Sequence, residues 1–158
     1  MTEAAAQFRK GLEQLAILPD TPERRRQELE FSSSLGVALR FVKGLASPET
    51  GRAFACAREL WERVGSPSEF LQVPYWPSLH HQTRAEFELA QRLDEDLLRL
   101  SHQRNDSAGL VLGHLSASRS LWLKGRFAPS RSHLEEVLML HDPNSHHSVL
   151  HQAGVHPA

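Results

Sequence analysis

Apolar residues step by three and four along almost the whole chain: Phe8, Leu12 and Leu15; Leu35, Leu39 and Val42; Ala57, Leu60 and Val64; Ala90, Leu93, Leu97 and Leu100; Leu134, Val137 and His141. That spacing is the helical period, which gathers apolar side chains on one face and leaves polar ones on the other. The punctuation between the runs agrees with it. Thr21-Pro22-Glu23, Ser47-Pro48-Glu49 and Ser66-Pro67-Ser68-Glu69 each spell a helix start: a hydroxyl at the N-cap, proline at the first helical position, and an acid facing the positive end of the helix dipole. In the third, Glu69 sits where a capping box requires it. Asn105-Asp106-Ser107 is a further start and Asp142-Pro143 a stop. The pattern predicts seven helices, near residues 3–18, 22–43, 48–64, 67–82, 85–102, 107–124 and 127–141. Short connectors make neighbours antiparallel, so the expected fold is all-α, built from helical hairpins. Pro74 and Pro77 fall inside the fourth helix. Each removes a hydrogen bond and crowds the preceding turn, so a kink or break is expected there.

Composition sharpens the fold class. The chain has 24 Leu and 16 Ala against 8 Val, 1 Ile and 4 Thr, a bias toward helix and away from strand. With 18 Lys+Arg and 19 Asp+Glu the formal charge is −1, which gives no long-range attraction to nucleic acid or anionic lipid. The opening MTEAAAQFRKGLEQLAIL carries charges where a signal peptide needs an apolar core, and no run approaches the ~18 apolar residues of a membrane span. The single cysteine, Cys56, excludes an intrachain disulfide and suits a reducing compartment. A cytoplasmic protein is expected, with a helical domain over 1–143 and a His-rich extended tail over 144–158.

A repeat runs through the helices. Hairpins turn at Lys43-Gly44, Arg84-Ala85 and Lys124-Gly125, a recurrence near 40 residues to which the insertion Leu45-Ala46-Ser47 adds. After the turn come an aromatic, a small residue and a stripe of large ones: Gly125, Phe127, Ser130, Leu134 and Val137 in the third unit, Ala85, Phe87, Ala90, Asp94 and Leu97 in the second. Before it the third unit has Ser118 and Leu121-Trp122. Small residues let two helices approach, and large ones fill the groove to the next hairpin. The pattern resembles a tetratricopeptide (TPR) repeat. LPDTPERRRQELE (18–30), VKGLASPETGRAFACARELWERVG (42–65), TRAEFELAQRLDEDLLRLSHQ (83–103) and LWLKGRFAPSRSHLEEVLMLHDP (121–143) together resemble the C-terminal repeat region of bacterial signalling proteins. In those, a class III adenylate or guanylate cyclase domain and an AAA-type ATPase precede the repeats. The resemblance implies a right-handed stack of antiparallel hairpins, a TPR-like α-solenoid, acting as a non-catalytic scaffold that binds a peptide or subunit on its concave face. The chain contains no Walker-type Gly-Lys-Ser/Thr loop and no cyclase domain, so the catalysis of those proteins does not transfer.

By the same repeat geometry the inner face is expected to present Phe31, Ser34, Ala38 and Phe41, then Gln72, Tyr75, Leu79 and Gln82, then Leu112, Leu115, Arg119 and Trp122. Gln82 and Arg119 are the strongest contact candidates, because a polar group buried there would need a partner; the apolar ones serve equally as core between hairpins. A homodimer through exposed end hairpins is the alternative, since an uncapped array leaves an apolar face open. A metal or small-ligand sensor ranks third. His147 and His151 stand at i,i+4, and His80, His81, His146 and His156 complete the set, yet no Cys or neighbouring Glu closes a tetrahedral site, so no metal or other cofactor is assigned. Cys56 reads as a small buried residue, Asp94-Glu95-Asp96 and Glu135-Glu136 as solvated faces, and Arg24-Arg25-Arg26 as locally paired with Glu23, Glu28 and Glu30. Nothing in the sequence assembles a nucleophile with its base, and the chain is expected not to be an enzyme.

Overall fold

The computed structural model describes residues 2–142 together with His146 and His151. Among these residues there is no strand, and seven α-helices carry the chain: α1 (Thr2–Ala16), α2 (Pro22–Lys43), α3 (Pro48–Arg63), α4 (Gln72–Thr83), α5 (Phe87–Arg104), α6 (Ser107–Leu123) and α7 (Phe127–Leu140). None is long and apolar enough to cross a membrane. The chain divides into two compact units, one up to Pro67 and one from Ser68 onward.

In the first unit α2 packs on α1 and on α3. The local chemistry read from the sequence sets its helix starts. Thr21 Oγ1 accepts from Arg24 N at 3.2 Å and Ser47 Oγ accepts from Thr50 N at 3.1 Å, with Pro22 and Pro48 at the first helical positions. Two glycines allow close approach: a Cβ on Gly11 would lie 2.6 Å from the Phe31 ring, and one on Gly36 2.6 Å from two carbons of the Phe54 ring. Ala5, Ala38 and Leu39 are buried between the helices, with Phe8, Leu35 and Ala53 packed against them. The arginine run acts locally. Arg24 Nε donates to Leu15 O at 2.7 Å and so caps the end of α1, while Arg25 grips Asp20 with two bonds of 2.7 and 2.5 Å and holds that carboxyl below its usual range.

The expected start of the fourth helix is corrected. Ser66 is not an N-cap: it adopts φ 54°, its N–H donates to Trp61 O at 2.8 Å, and Ser68–Phe70 forms a single 3-10 turn. The indole of Trp61 fixes this corner by donating to Pro67 O at 2.9 Å. Helix α4 then begins at Gln72 without a side-chain cap. The prolines explain the delay. Starting there puts Pro74 in the first turn, where no intrahelical N–H bond is lost, and leaves only Pro77 inside the helix, which continues through it.

In the second unit α4 touches α5 and α6, α5 packs on α6, and α6 on α7. Helix ends recur every 20 residues here and at the end of α3. The N–H groups of Ser66, Glu86, Asp106 and Arg126 donate to the carbonyls of Trp61, His81, Ser101 and Leu121 at 2.8–2.9 Å, each just after a left-handed residue, Gly65, Ala85, Asn105 or Gly125. This is the Schellman closure, repeated at the same offset. The 40-residue recurrence from Ala85 to Gly125 is two such steps. Gly44 stands outside the series, with φ 87° and a single bond from its N–H to Arg40 O.

Candidate functional site

The strongest concentration of polar chemistry lies inside the second unit. Asp94 of α5 is 1% exposed, which corrects its reading as part of a solvated face. Ser78 Oγ of α4 donates to Asp94 Oδ1 at 2.5 Å and Ser120 Oγ of α6 donates to Oδ2 at 2.7 Å. Ser78 and Gln82 are one turn apart on α4, as are Ser116 and Ser120 on α6, so each helix presents two polar groups to the same point. Gln82 Nε2 reaches Ser116 O at 3.1 Å and Ser120 Oγ at 2.9 Å, tying α4 to α6. Because that nitrogen must face the Ser116 carbonyl, the amide cannot be turned, and Gln82 Oε1 is left without a donor. Burial pushes the Asp94 carboxyl above its usual range, the hydroxyls of Ser116, Ser78 and Ser120 pull it back, and Glu95 raises it further.

Asp94 and Ser120 form the inner wall of a cleft of about 220 Å³ between α5, α6 and α7, whose rim carries Glu95, Lys124 and His133. Asp94 Oδ1 and Oδ2 each accept from a serine hydroxyl, and Lys124 Nζ is held by Glu88 Oε1 at 3.1 Å. His133 turns its Nδ1 to His114 Nδ1 of α6, 2.8 Å away, a contact that nothing in the sequence singled out. One ring must donate and the other accept, so at least one is neutral. Desolvation lowers both imidazoles below the usual histidine range, with His133 and His102 lowering His114 further and Glu136 opposing. A histidine with a depressed folded pKa contributes stability that is present above the unfolded pKa, about 6.5, and lost as pH falls below it. Thermal melting should therefore drop between pH 7.5 and pH 5.5, and His133→Gln should flatten that slope; an unchanged slope would contradict the pairing.

A second close pair resembles a catalytic dyad without having its chemistry. Ser107 Oγ lies 2.8 Å from His146 Nε2, and the Asp142 N–H donates to His146 Nδ1 at 3.2 Å. Since Nδ1 accepts, the proton sits on Nε2 and is donated to the serine, so this ring cannot take the serine proton and serves as a clip at the start of α6.

The chain matches no family model, no curated protein and no solved structure.

The remaining candidates disperse. Gln72, Tyr75, Leu79 and Gln82 are buried, as are ten of the twelve residues of α4. In the first unit Ala38 is buried, Phe31 packs against Phe8 and Gly11, and Phe41 is exposed beneath the Arg40 guanidinium, 4.4 Å from the ring centroid. Leu112 is buried, Leu115 half-buried, Arg119 exposed, and Trp122 is 60% exposed. Cys56 is exposed, not buried as expected, and partial desolvation together with Glu59 and Glu28 holds its thiol in the protonated form. His80 is buried, His81 bonds Glu86 at 2.6 Å and holds that carboxyl low, His151 is exposed, and His147 and His156 lie outside the described residues. Among the described residues no three His, Cys, Asp or Glu side chains are placed to hold a metal ion.

Proposed function

We propose that this protein is a non-catalytic, TPR-like interaction scaffold, acting in bacterial signalling, that takes a protein segment on the exposed stripe of α6 expected to belong to its concave face. The observation that carries the reading is the set Leu115, Arg119 and Trp122, at i, i+4 and i+7, one half-buried and two exposed, with Trp122 at 60% exposure in a chain whose other tryptophans are buried. A large aromatic beside a guanidinium is the composition of an interface anchor, and it costs solvation if left bare. The recurrence of helix ends every 20 residues supports the repeat reading. The buried Asp94 network supports a structural interior, since its carboxylate joins serines of two other helices.

The cation beside an apolar patch fits a peptide that combines a carboxylate with aliphatic or aromatic residues. Because Trp61 and Trp76 are buried, acrylamide should quench Trp122 selectively, and acidic–hydrophobic peptides should protect it with micromolar affinity. Trp122→Ala and Arg119→Ala should each weaken binding about tenfold or more with little change in melting temperature. If no such peptide protects Trp122 from quenching, this assignment of the α6 face is wrong.

A further inference from the structure

We infer that α7 is a self-association helix whose partner is α7 of a second copy, packed antiparallel about a two-fold axis near residue 133. Helix α7 turns Ser130 toward α6, where its hydroxyl donates to Ser118 O at 2.8 Å. Away from that contact it leaves Phe127 at 63% exposure, Leu134 at 44%, Leu138 at 79% and Met139 at 71%. Four large apolar side chains on fourteen residues form a patch rather than scattered exceptions.

The order of residues names the occupant. Phe127, Arg131, Glu135 and Met139 follow one another at intervals of four and so make one ridge along the helix, with Leu134 and Leu138 on the ridge beside it. The ridge reads apolar, basic, acidic, apolar. Reversed against itself about residue 133, it sets Arg131 opposite Glu135 of the second copy and Phe127 opposite its Met139, and the two-fold makes each contact twice. Within one chain Arg131 Nε already meets Glu135 Oε1 at 2.8 Å, and these side chains are 81% and 54% exposed, so both are free to exchange that bond for one across the axis. An isologous interface requires a surface that complements itself, whereas a foreign partner requires no such palindrome.

Six side chains of this size cover on the order of 600 Å² per copy, against about 800 Å² in a standard interface, so the dimer should be concentration-dependent. It uses a different face from the α6 surface, so either assignment can fail alone.

The test is mass by light scattering and sedimentation of the full chain from low to high micromolar concentration. Wild type should move from one toward two copies. Arg131→Glu and Glu135→Arg each place like charges across the axis and should weaken self-association at least tenfold. An equal mixture of the two variants should recover dimer as the mixed species, because opposite charges then face one another at both positions. Circular dichroism and melting of each variant report that the exposed substitutions leave the fold intact, and Leu138→Asp gives an independent disruption. A wild type monomeric throughout, single variants that dimerise as wild type does, or a mixture that fails to pair would each overturn the proposal.

Discussion

Asp94→Ala is expected to destabilise the protein by about 3 kcal/mol, read as a lower urea midpoint at unchanged slope. The substitution removes the acceptor of two buried hydroxyls, Ser78 and Ser120, and slackens the point where Gln82 joins α4 to α6. Each buried donor left without a partner costs roughly 1–3 kcal/mol, far more than the net gain from an average hydrogen bond. Asp94→Asn should behave differently. It keeps the shape, one serine hydroxyl still donates to its oxygen while the other can turn to accept from its amide, and the change should stay within about 1 kcal/mol. The pH profile separates the two variants from wild type. For an acid whose folded pKa is raised, the folded state holds more protons than the unfolded state, so its contribution falls as pH climbs from the unfolded pKa, about 3.9, through the raised value. Both variants should lose that component, and Asp94→Asn should lose it without the large destabilisation. Equal damage from the two would mean that the charge, and not the hydrogen-bonded shape, holds the three helices together.

The second large effect is Gly36→Ala, expected to destabilise the first unit by about 2 kcal/mol although it improves helix propensity by about 1 kcal/mol. Gly36 lies inside α2, and an added methyl would stand 2.6 Å from both Cδ1 and Cε1 of Phe54, a ring buried in the opposing helix α3. A buried aromatic cannot swing aside as an exposed lysine would, so the helices must part and the burial beneath them is lost. The unfolding midpoint gives the sign directly. A gain in stability would show that the α2–α3 contact yields to a methyl group without loss of burial.

These two residues mark how far the sequence could be read. Helix α2 starts at Pro22 and α3 at Pro48, where the hydroxyl–proline–acid signals place them, because a cap is satisfied within three or four residues. The same signal at Ser66 fails because a nearby feature of longer reach competes with it: the Trp61 indole pins Pro67, and Pro74 is accommodated by a helix that begins at Gln72. Asp94 is the clearest miss. Among Glu95 and Asp96 it reads as surface, yet in the repeat alignment it stands on the large apolar stripe at the place of Leu134. A carboxylate on that stripe is a signal of a buried polar contact, though not of its partners. Those come from 16 residues before it and 26 after it, on two other helices. The facing of His114 to His133, 19 residues apart, was illegible for the same reason.

The sequence by itself determined the all-α class, the number of helices and nearly all of their ends, because periodicity, caps and left-handed closures act over a single turn. Only the tertiary structure decided which polar groups are inside and which apolar ones are left in water. Burial is a property of residues distant in the chain meeting in space, and the same aspartate or leucine letter is cheap or costly according to what the neighbouring helix brings to it.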